Sequence, residues 1–167
     1  MKIAAVRTVV VGNPWKNWVY VIVETSEGIR GLGEATGGLA TRPVESAVQE
    51  LAHLCVGEDP TRIHALWDKL YKATYLTDNS AHLHAMAGIE TACWDILGKS
   101  LGVPVYRLLG GPCRDKIRVY PTSKAHKVPP HGIYDHSGKP NEIERMVNAI
   151  KQTRERVGPD GTVMFDA

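Results

Sequence analysis

The sequence predicts an α+β domain over residues 1–113, followed over residues 114–167 by the start of a second domain in which strands and helices alternate. Two observations predict the first domain. Three short segments rich in Val, Ile and aromatic residues come first, and amphipathic helical segments then follow without further strands. The second domain is indicated by a change of pattern after Cys113. A chain of 167 residues can bury one substantial core, or one core and part of another.

The first part of the chain predicts a three-stranded antiparallel meander. We expect strands over residues 2–11, 18–25 and 31–35, because β-branched and aromatic residues dominate these segments. Residues 26–28, Ser-Glu-Gly, have the composition of a tight turn. Residues 12–17 instead form a longer loop that carries a large aromatic residue and a cation.

Three helices are predicted to pack as a bundle behind the meander. The first spans about residues 43–56, and the second begins at Pro60 with Asp59 as its N-cap. The third follows the polar residues 77–80, includes residues 85–101 and ends at Gly102, a residue suited to the left-handed conformation. The expected apolar stripes are Val44, Ala47, Leu51 and Leu54, then Ile63, Leu66, Trp67 and Leu70, and finally Met86, Ile89, Cys93, Leu97 and Leu101.

After Cys113 the order of strand, helix and strand is typical of a parallel (β/α) barrel. Asn141 and Glu144 have the spacing of a capping box at the start of the helix. Only a few residues separate Tyr120 from Ala125, whereas a parallel connection needs about a dozen, so the first barrel helix is expected to be missing. The predicted strands are residues 117–120, 125–128 and 162–166, and the predicted helix is residues 141–157.

Composition excludes several classes of protein. A net charge of +2, from 20 Lys and Arg against 18 Asp and Glu, gives no basis for nucleic-acid binding. The apolar N-terminal segment is short and contains Arg7, so a strand is expected there rather than a membrane span. Cys55, Cys93 and Cys113 lack metal-ligand spacing, and we expect reduced thiols in the cytoplasm.

Residues 85–111, AMAGIETACWDILGKSLGVPVYRLLGG, carry the most specific pattern in the chain. Its order of residue types resembles the capping-domain signature of the mandelate racemase and muconate lactonizing enzyme group of the enolase superfamily. The alternative is an ordinary core helix followed by a turn. The resemblance rests on Gly88, Ile89, Glu90, Ala92, Trp94, Asp95, Ile96, Gly98 and Lys99, then on Gly102, Val103, Pro104, Val105, Leu108, Leu109, Gly110 and Gly111.

The resemblance implies a fold and a reaction. It makes residues 1–113 an N-terminal capping domain and residues 114–167 the first part of a TIM-like (β/α)7β barrel, so we expect the chain to be part of a longer enzyme that is inactive as this fragment alone. Enzymes of the superfamily abstract the proton next to a carboxylate and pass through an enediolate stabilised by Mg²⁺. Such a carbon acid is very weak, and its conjugate base needs concentrated positive charge.

The resemblance also implies site residues in the barrel segment. Met164–Ala167 resembles the end of the third barrel strand of the family, which makes Asp166 the expected metal ligand. The second barrel strand of the family usually carries Lys-x-Lys, but in residues 125–131 Ala125 or Pro129, according to register, takes the place of the lysine that would accompany Lys127. Lys127 is therefore the candidate catalytic base, or else a contact to the substrate carboxylate. A strand-terminal Asp and a solvated Lys are the simpler alternatives.

Two capping-domain loops, after the first and third strands, choose the substrate in this family. Trp15, Lys16 and Asn17 are therefore implied as substrate contacts, the alternative being solvated loop residues. This polar loop and the lack of Lys-x-Lys favour dehydration of a sugar acid over racemisation, epimerisation or cycloisomerisation. A non-catalytic capping and oligomerisation module is the alternative of another class. We expect a homo-oligomer that binds a small-molecule carboxylate and neither nucleic acid nor a membrane.

Overall fold

A computed structural model describes residues 1–12, 14, 16–75, 80–117, 119, 142–161 and 163 of the chain. It separates into two compact units, Met1–Cys113 and Arg114–Ala167. No helix within the described ranges is long and apolar enough to cross a bilayer. The described elements of the first unit are β1 (Ile3–Gly12), β2 (Asn17–Thr25), β3 (Arg30–Glu34), α1 (Thr41–Cys55), α2 (Ile63–Thr74), α3 (Ser80–Leu101) and α4 (Val105–Leu108), and α5 (Glu142–Val157) lies in the second.

The three strands form the antiparallel meander predicted from the sequence, in the order β1-β2-β3. Side chains alternate between the two faces of the central strand β2. Val19, Val21 and Val23 on one face are fully buried in the core that the sheet shares with α1, α2 and α3. The α+β architecture expected for a capping domain is therefore confirmed.

Two glycines of β3 allow helix α3 to lie against the backbone of the sheet. A Cβ atom at Gly33 would overlap the carbonyl oxygen of Gly88, and one at Gly31 would overlap that of Ala92. Gly88 is also constrained, though less tightly, because a Cβ there would lie 2.8 Å from Cγ2 of Val21. Strand and helix consequently meet without side chains between them.

The exposed edge of β3 is bonded by two side chains of α3. Oδ2 of Asp95 accepts a hydrogen bond of 2.9 Å from the backbone N–H of Leu32. Nζ of Lys99 donates to the carbonyl oxygen of Arg30 at 2.7 Å and to Asp95 Oδ2 at 2.7 Å. An edge strand otherwise offers such groups to another chain. Asp95 thus has a structural role, because it bonds helix α3 to the edge of β3.

We expect Asp95→Ala to lower the free energy of unfolding by about 1–2 kcal/mol, because the substitution removes a charged acceptor from a strand N–H. Asp95→Asn, which keeps an acceptor, should lose less. Asp68→Ala is the matched control, since Asp68 forms the same type of i,i+4 pair with Lys72 at 2.6 Å. That exposed pair should contribute under about 0.5 kcal/mol. Urea denaturation measures all three variants, and equal losses for Asp68→Ala and Asp95→Ala would contradict the role of the strand contact.

The start of α2 differs from the prediction. The helix begins at Ile63, and Arg62 is its N-cap without a side-chain bond. Oδ1 of Asp59 instead accepts hydrogen bonds from the N–H and hydroxyl of Thr61, at 2.9 and 2.8 Å, and these bonds lower the pKa of Asp59. Asp59 and Pro60 therefore form a turn before the helix, because an Asp side chain closes an Asx turn two residues on as readily as it caps a helix.

Helices α1 and α3 agree more closely with the prediction. Helix α1 begins at Thr41, and Pro43 occupies its first turn, where a missing N–H costs no intrahelical bond. Gly102 has φ of 68° and ends α3 as predicted, with Val103 N–H donating to Gly98 O at 3.0 Å. The expected burial of Leu101 is wrong: its side chain is 59% exposed because it lies at the last residue of the helix, beyond the core.

The short helix α4 forms one turn after the end of α3. Its four residues follow Pro104, which has an extended conformation, and Leu109 N–H donates to Val105 O at 3.2 Å.

The cysteines behave as predicted for free thiols. Cys55 and Cys93 are buried and Cys113 is exposed, and burial raises the pKa of each buried thiol to about 12.

In the second unit, α5 confirms the helix predicted over residues 141–157 to within one residue. Gly158 follows it with φ of 79°, and Arg154 donates a side-chain hydrogen bond of 3.1 Å to the Gly158 carbonyl. Asn141 of the predicted capping box lies outside the described residues. Ile117, Val119 and Val163, where strands were expected, belong to no strand of the described part, and the remainder of those segments is outside it.

Candidate functional site

The candidate site consists of two loops that leave the same end of the sheet. The β1–β2 loop joins Gly12 to Asn17, which are paired across the ladder. The β3–α1 loop runs over residues 35–40, directly after β3. Because Tyr20 near the start of β2 pairs with Glu34 at the end of β3, both loops emerge at the same end of the strands. The fold therefore brings together the two segments that sequence reasoning associated with substrate choice.

Lys16 lies in the first of these loops and is half-buried. Its Nζ lies 3.8 Å from the centroid of the Trp18 ring, which is within cation–π distance. Such a contact at a partly exposed position contributes about 0.5–1 kcal/mol and restricts the ammonium group. The indole of Trp18 therefore contributes to holding the Lys16 ammonium group in place.

Asn17 is exposed, and its carboxamide is bonded to the other side of the site. Nδ2 of Asn17 donates a hydrogen bond of 3.3 Å to Oγ1 of Thr41, the first residue of α1. Nearby, the backbone N–H of Val19 donates to Oγ1 of Thr36 at 3.1 Å, and Ala35 N–H donates to Val19 O at 2.8 Å. Hydroxyl groups from the β3–α1 side thus fix both the start of β2 and the side chain of Asn17.

Helices α1 and α3 both contact the β3–α1 loop. A Cβ atom at Gly37 would lie 3.0 Å from Cγ2 of Val44 and 3.1 Å from Cδ2 of His84. His84 therefore lies against the loop. His82, two positions earlier, is mostly buried, and its Nε2 lies 3.4 Å from Oε2 of Glu50 on α1. The two histidines therefore have separate surroundings.

The remaining predicted site residues, Trp15, Lys127 and Asp166, lie outside the described residues. Within the described ranges, no group of three or more His, Cys, Asp or Glu side chains could hold a metal ion. The catalytic base and the metal ligand therefore stay predictions. Thr36, Thr41 and His84 are the contacts that sequence reasoning missed. They join residues far apart in the chain, so no local spacing could have indicated them.

Residues 3–110 match the family model described as mandelate racemase / muconate lactonizing enzyme, N-terminal domain. The chain belongs to this family. The resemblance recognised in residues 85–111 is thereby confirmed, since those residues lie almost wholly within the matched range. The three-stranded meander with helices behind it is accordingly the N-terminal capping domain of the family.

A curated relative is the D-galactonate dehydratase of Xanthomonas euvesicatoria pv. vesicatoria. The two are 50% identical over 103 residues, which cover 62% of this chain and 27% of that protein. The chain thus spans about a quarter of the length of the curated relatives it matches.

Two solved structures are also similar. An enolase from Pantoea ananatis, with bound D-gluconate and Mg, is 41% identical with a TM-score of 0.66, over 70% of this chain and 28% of that one. An enolase from Agrobacterium radiobacter, a putative galactarate dehydratase with bound Na and L-malate, is 25% identical with a TM-score of 0.84, over 99% of this chain and 48% of that one. The fold of this chain is therefore shared with proteins of the enolase superfamily.

Proposed function

We propose that this chain is the N-terminal part of a Mg²⁺-dependent sugar-acid dehydratase. The observation that carries the proposal is the 50% identity over 103 residues to a D-galactonate dehydratase. The Pantoea ananatis structure, which holds D-gluconate and Mg, supports the same class of substrate and the same ion. Acids of this kind are six-carbon chains with a carboxylate at one end and hydroxyls along the rest.

The loop chemistry fits such a substrate. The ammonium of Lys16, held over Trp18, is suited to a carboxylate or to a hydroxyl acceptor. The carboxamide of Asn17 has donors and an acceptor, which suits hydroxyl groups that need both. Trp15 is proposed as a third contact. A carboxamide is not a base and Lys16 lies in the loop that the family uses for substrate choice, so we assign Lys16 and Asn17 to substrate binding.

The reaction removes the proton from the carbon next to the carboxylate and the hydroxyl group from the following carbon. The hydroxyl group leaves as water. The resulting enol becomes a 2-keto-3-deoxy acid. We propose Lys127 as the base that takes the proton, which requires a neutral amine and hence a lowered pKa. We propose Asp166 as a carboxylate ligand of Mg²⁺. The ion, when bound, supplies positive charge beside the substrate carboxylate.

The test uses the full-length protein with a set of aldonic and aldaric acids. We expect 2-keto acid to form from at least one of D-galactonate, D-gluconate and galactarate, to stop after EDTA treatment, and to resume when Mg²⁺ is added. Exchange of the α-proton with solvent deuterium, without any keto acid, would instead support racemisation or epimerisation. Turnover that is unchanged by EDTA would contradict the role of Mg²⁺. The homo-oligomeric state and the cytoplasmic location stay predictions.

A further inference from the structure

We propose that Thr41 is a positioning residue for Asn17, so that the two loops bind a sugar-acid hydroxyl as one unit. The inference rests on the proposed function, because it concerns the contact that Asn17 makes to the substrate. Thr41 itself belongs to α1 and acts through Asn17. Its hydroxyl accepts the hydrogen bond of 3.3 Å from Nδ2 of Asn17.

The position of Asn17 is defined from a second side by Gly12. These residues are direct partners in the β1–β2 ladder. A Cβ atom at Gly12 would lie 3.3 Å from Oδ1 of Asn17, so the carboxamide extends over the place where another residue would carry a side chain. The absence of a side chain at Gly12 therefore leaves room for the conformation that reaches Thr41.

The hydroxyl of Thr41 does not cap the N-terminus of helix α1. Ala40 is the N-cap of α1 and makes no side-chain capping bond, while Val44 N–H donates to Ala40 O at 3.0 Å. Thr residues near a helix start often bond to its free N–H groups, but here the bond described for Thr41 goes to the other loop. The effect of the hydroxyl on Asn17 can thus be separated from its effect on the helix.

The base of the β3–α1 loop is fixed independently of this bond. Thr36 Oγ1 accepts from Val19 N–H, and Gly37 packs against Val44 and His84. Thr41 is consequently a fixed point, whereas Asn17 is an exposed side chain at the first position of β2. Ordering such a side chain costs entropy, and a bond formed before the substrate arrives removes that cost from binding.

The test measures KM and kcat of the full-length protein for its best sugar acid in four variants. Thr41→Val keeps the β-branched shape and removes the hydroxyl, and Thr41→Ser keeps the hydroxyl. Asn17→Ala removes the contact itself, and Asn17→Ala/Thr41→Val removes both. Thr91→Val is the matched control, because Thr91 makes an equally exposed hydroxyl bond to Ala87 O within α3.

We expect Thr41→Val to raise KM about two- to tenfold, the loss of one hydrogen bond, with kcat and thermal midpoint unchanged. Thr41→Ser and Thr91→Val should both keep the KM of the unmodified protein. The double variant should match Asn17→Ala alone, because Thr41 acts only through Asn17. A raised KM for Asn17→Ala with a normal KM for Thr41→Val would overturn the inference, as would additive effects. Failure of the unmodified full-length protein to dehydrate any sugar acid would overturn the proposed function instead.

Discussion

Replacing Gly33 by alanine should destabilise the protein by about 3 kcal/mol or more, the upper range for overpacked sites. The added Cβ would overlap the carbonyl oxygen of Gly88, which belongs to the backbone of α3 and cannot rotate away. Either the strand or the 22-residue helix must move, and both are part of the buried core. Urea denaturation followed by circular dichroism measures the loss, and failure to fold at all agrees with the same cause.

Gly12→Ala is the matched control for this prediction. Gly12 is also a strand glycine, but the atom nearest to its added Cβ is Oδ1 of the Asn17 side chain, at 3.3 Å, which can adjust. We expect a cost below about 1 kcal/mol. Similar stabilities for Gly33→Ala and Gly12→Ala would show that helix and strand are not held in backbone contact.

Asp166→Asn should reduce the Mg²⁺-dependent turnover of the full-length protein by at least about 10²–10³-fold, as removal of one charge-stabilising group commonly does. An amide oxygen is a neutral and weaker ligand for a hard cation than a carboxylate. The substitution is nearly isosteric, so the unfolding transition should be unchanged. Turnover at saturating sugar acid, measured across a range of Mg²⁺ concentrations, distinguishes weaker ion binding from lost chemistry.

Asp160→Asn is the control for that experiment. Asp160 is exposed and lies six positions earlier in the chain, with the same change of charge. Its substitution should leave turnover within about twofold. If Asp166→Asn retains activity as Asp160→Asn does, Asp166 is not a metal ligand and the ligand must be sought elsewhere in the protein.

The sequence was sufficient for elements whose signals are local. The three strands, helix α3 and its end at Gly102 follow from β-branched and aromatic composition, helical periodicity and a glycine before Pro104. The start of α2 was wrong because Asp59 could either cap a helix or close a turn, and both uses have the same sequence signature. Local patterns of this kind do not contain the tertiary contact that decides between them.

Much of the candidate site could not be predicted for a related reason. Lys16 and Asn17 were found because the family resemblance directed attention to their loop. Thr36 and Thr41 were missed, since their bonds join residues 17 and 24 positions apart. Asp95 and its strand partner Leu32 are likewise 63 positions apart. Contacts at such separations become visible only in the folded chain.

The contact between β3 and α3 also specifies how the strand is aligned along the sheet. Every second residue of segment 29–35 faces the helix, which gives Ile29, Gly31, Gly33 and Ala35. Of these four residues, only Gly31 and Gly33 lack a Cβ. Sliding the strand by one residue would place Leu32 against the helix backbone, and sliding it by two would place Ile29 or Ala35 there. Every such misaligned pairing meets a steric clash. The β3–α1 loop therefore begins at a single defined position, which fixes where Thr41 can meet Asn17.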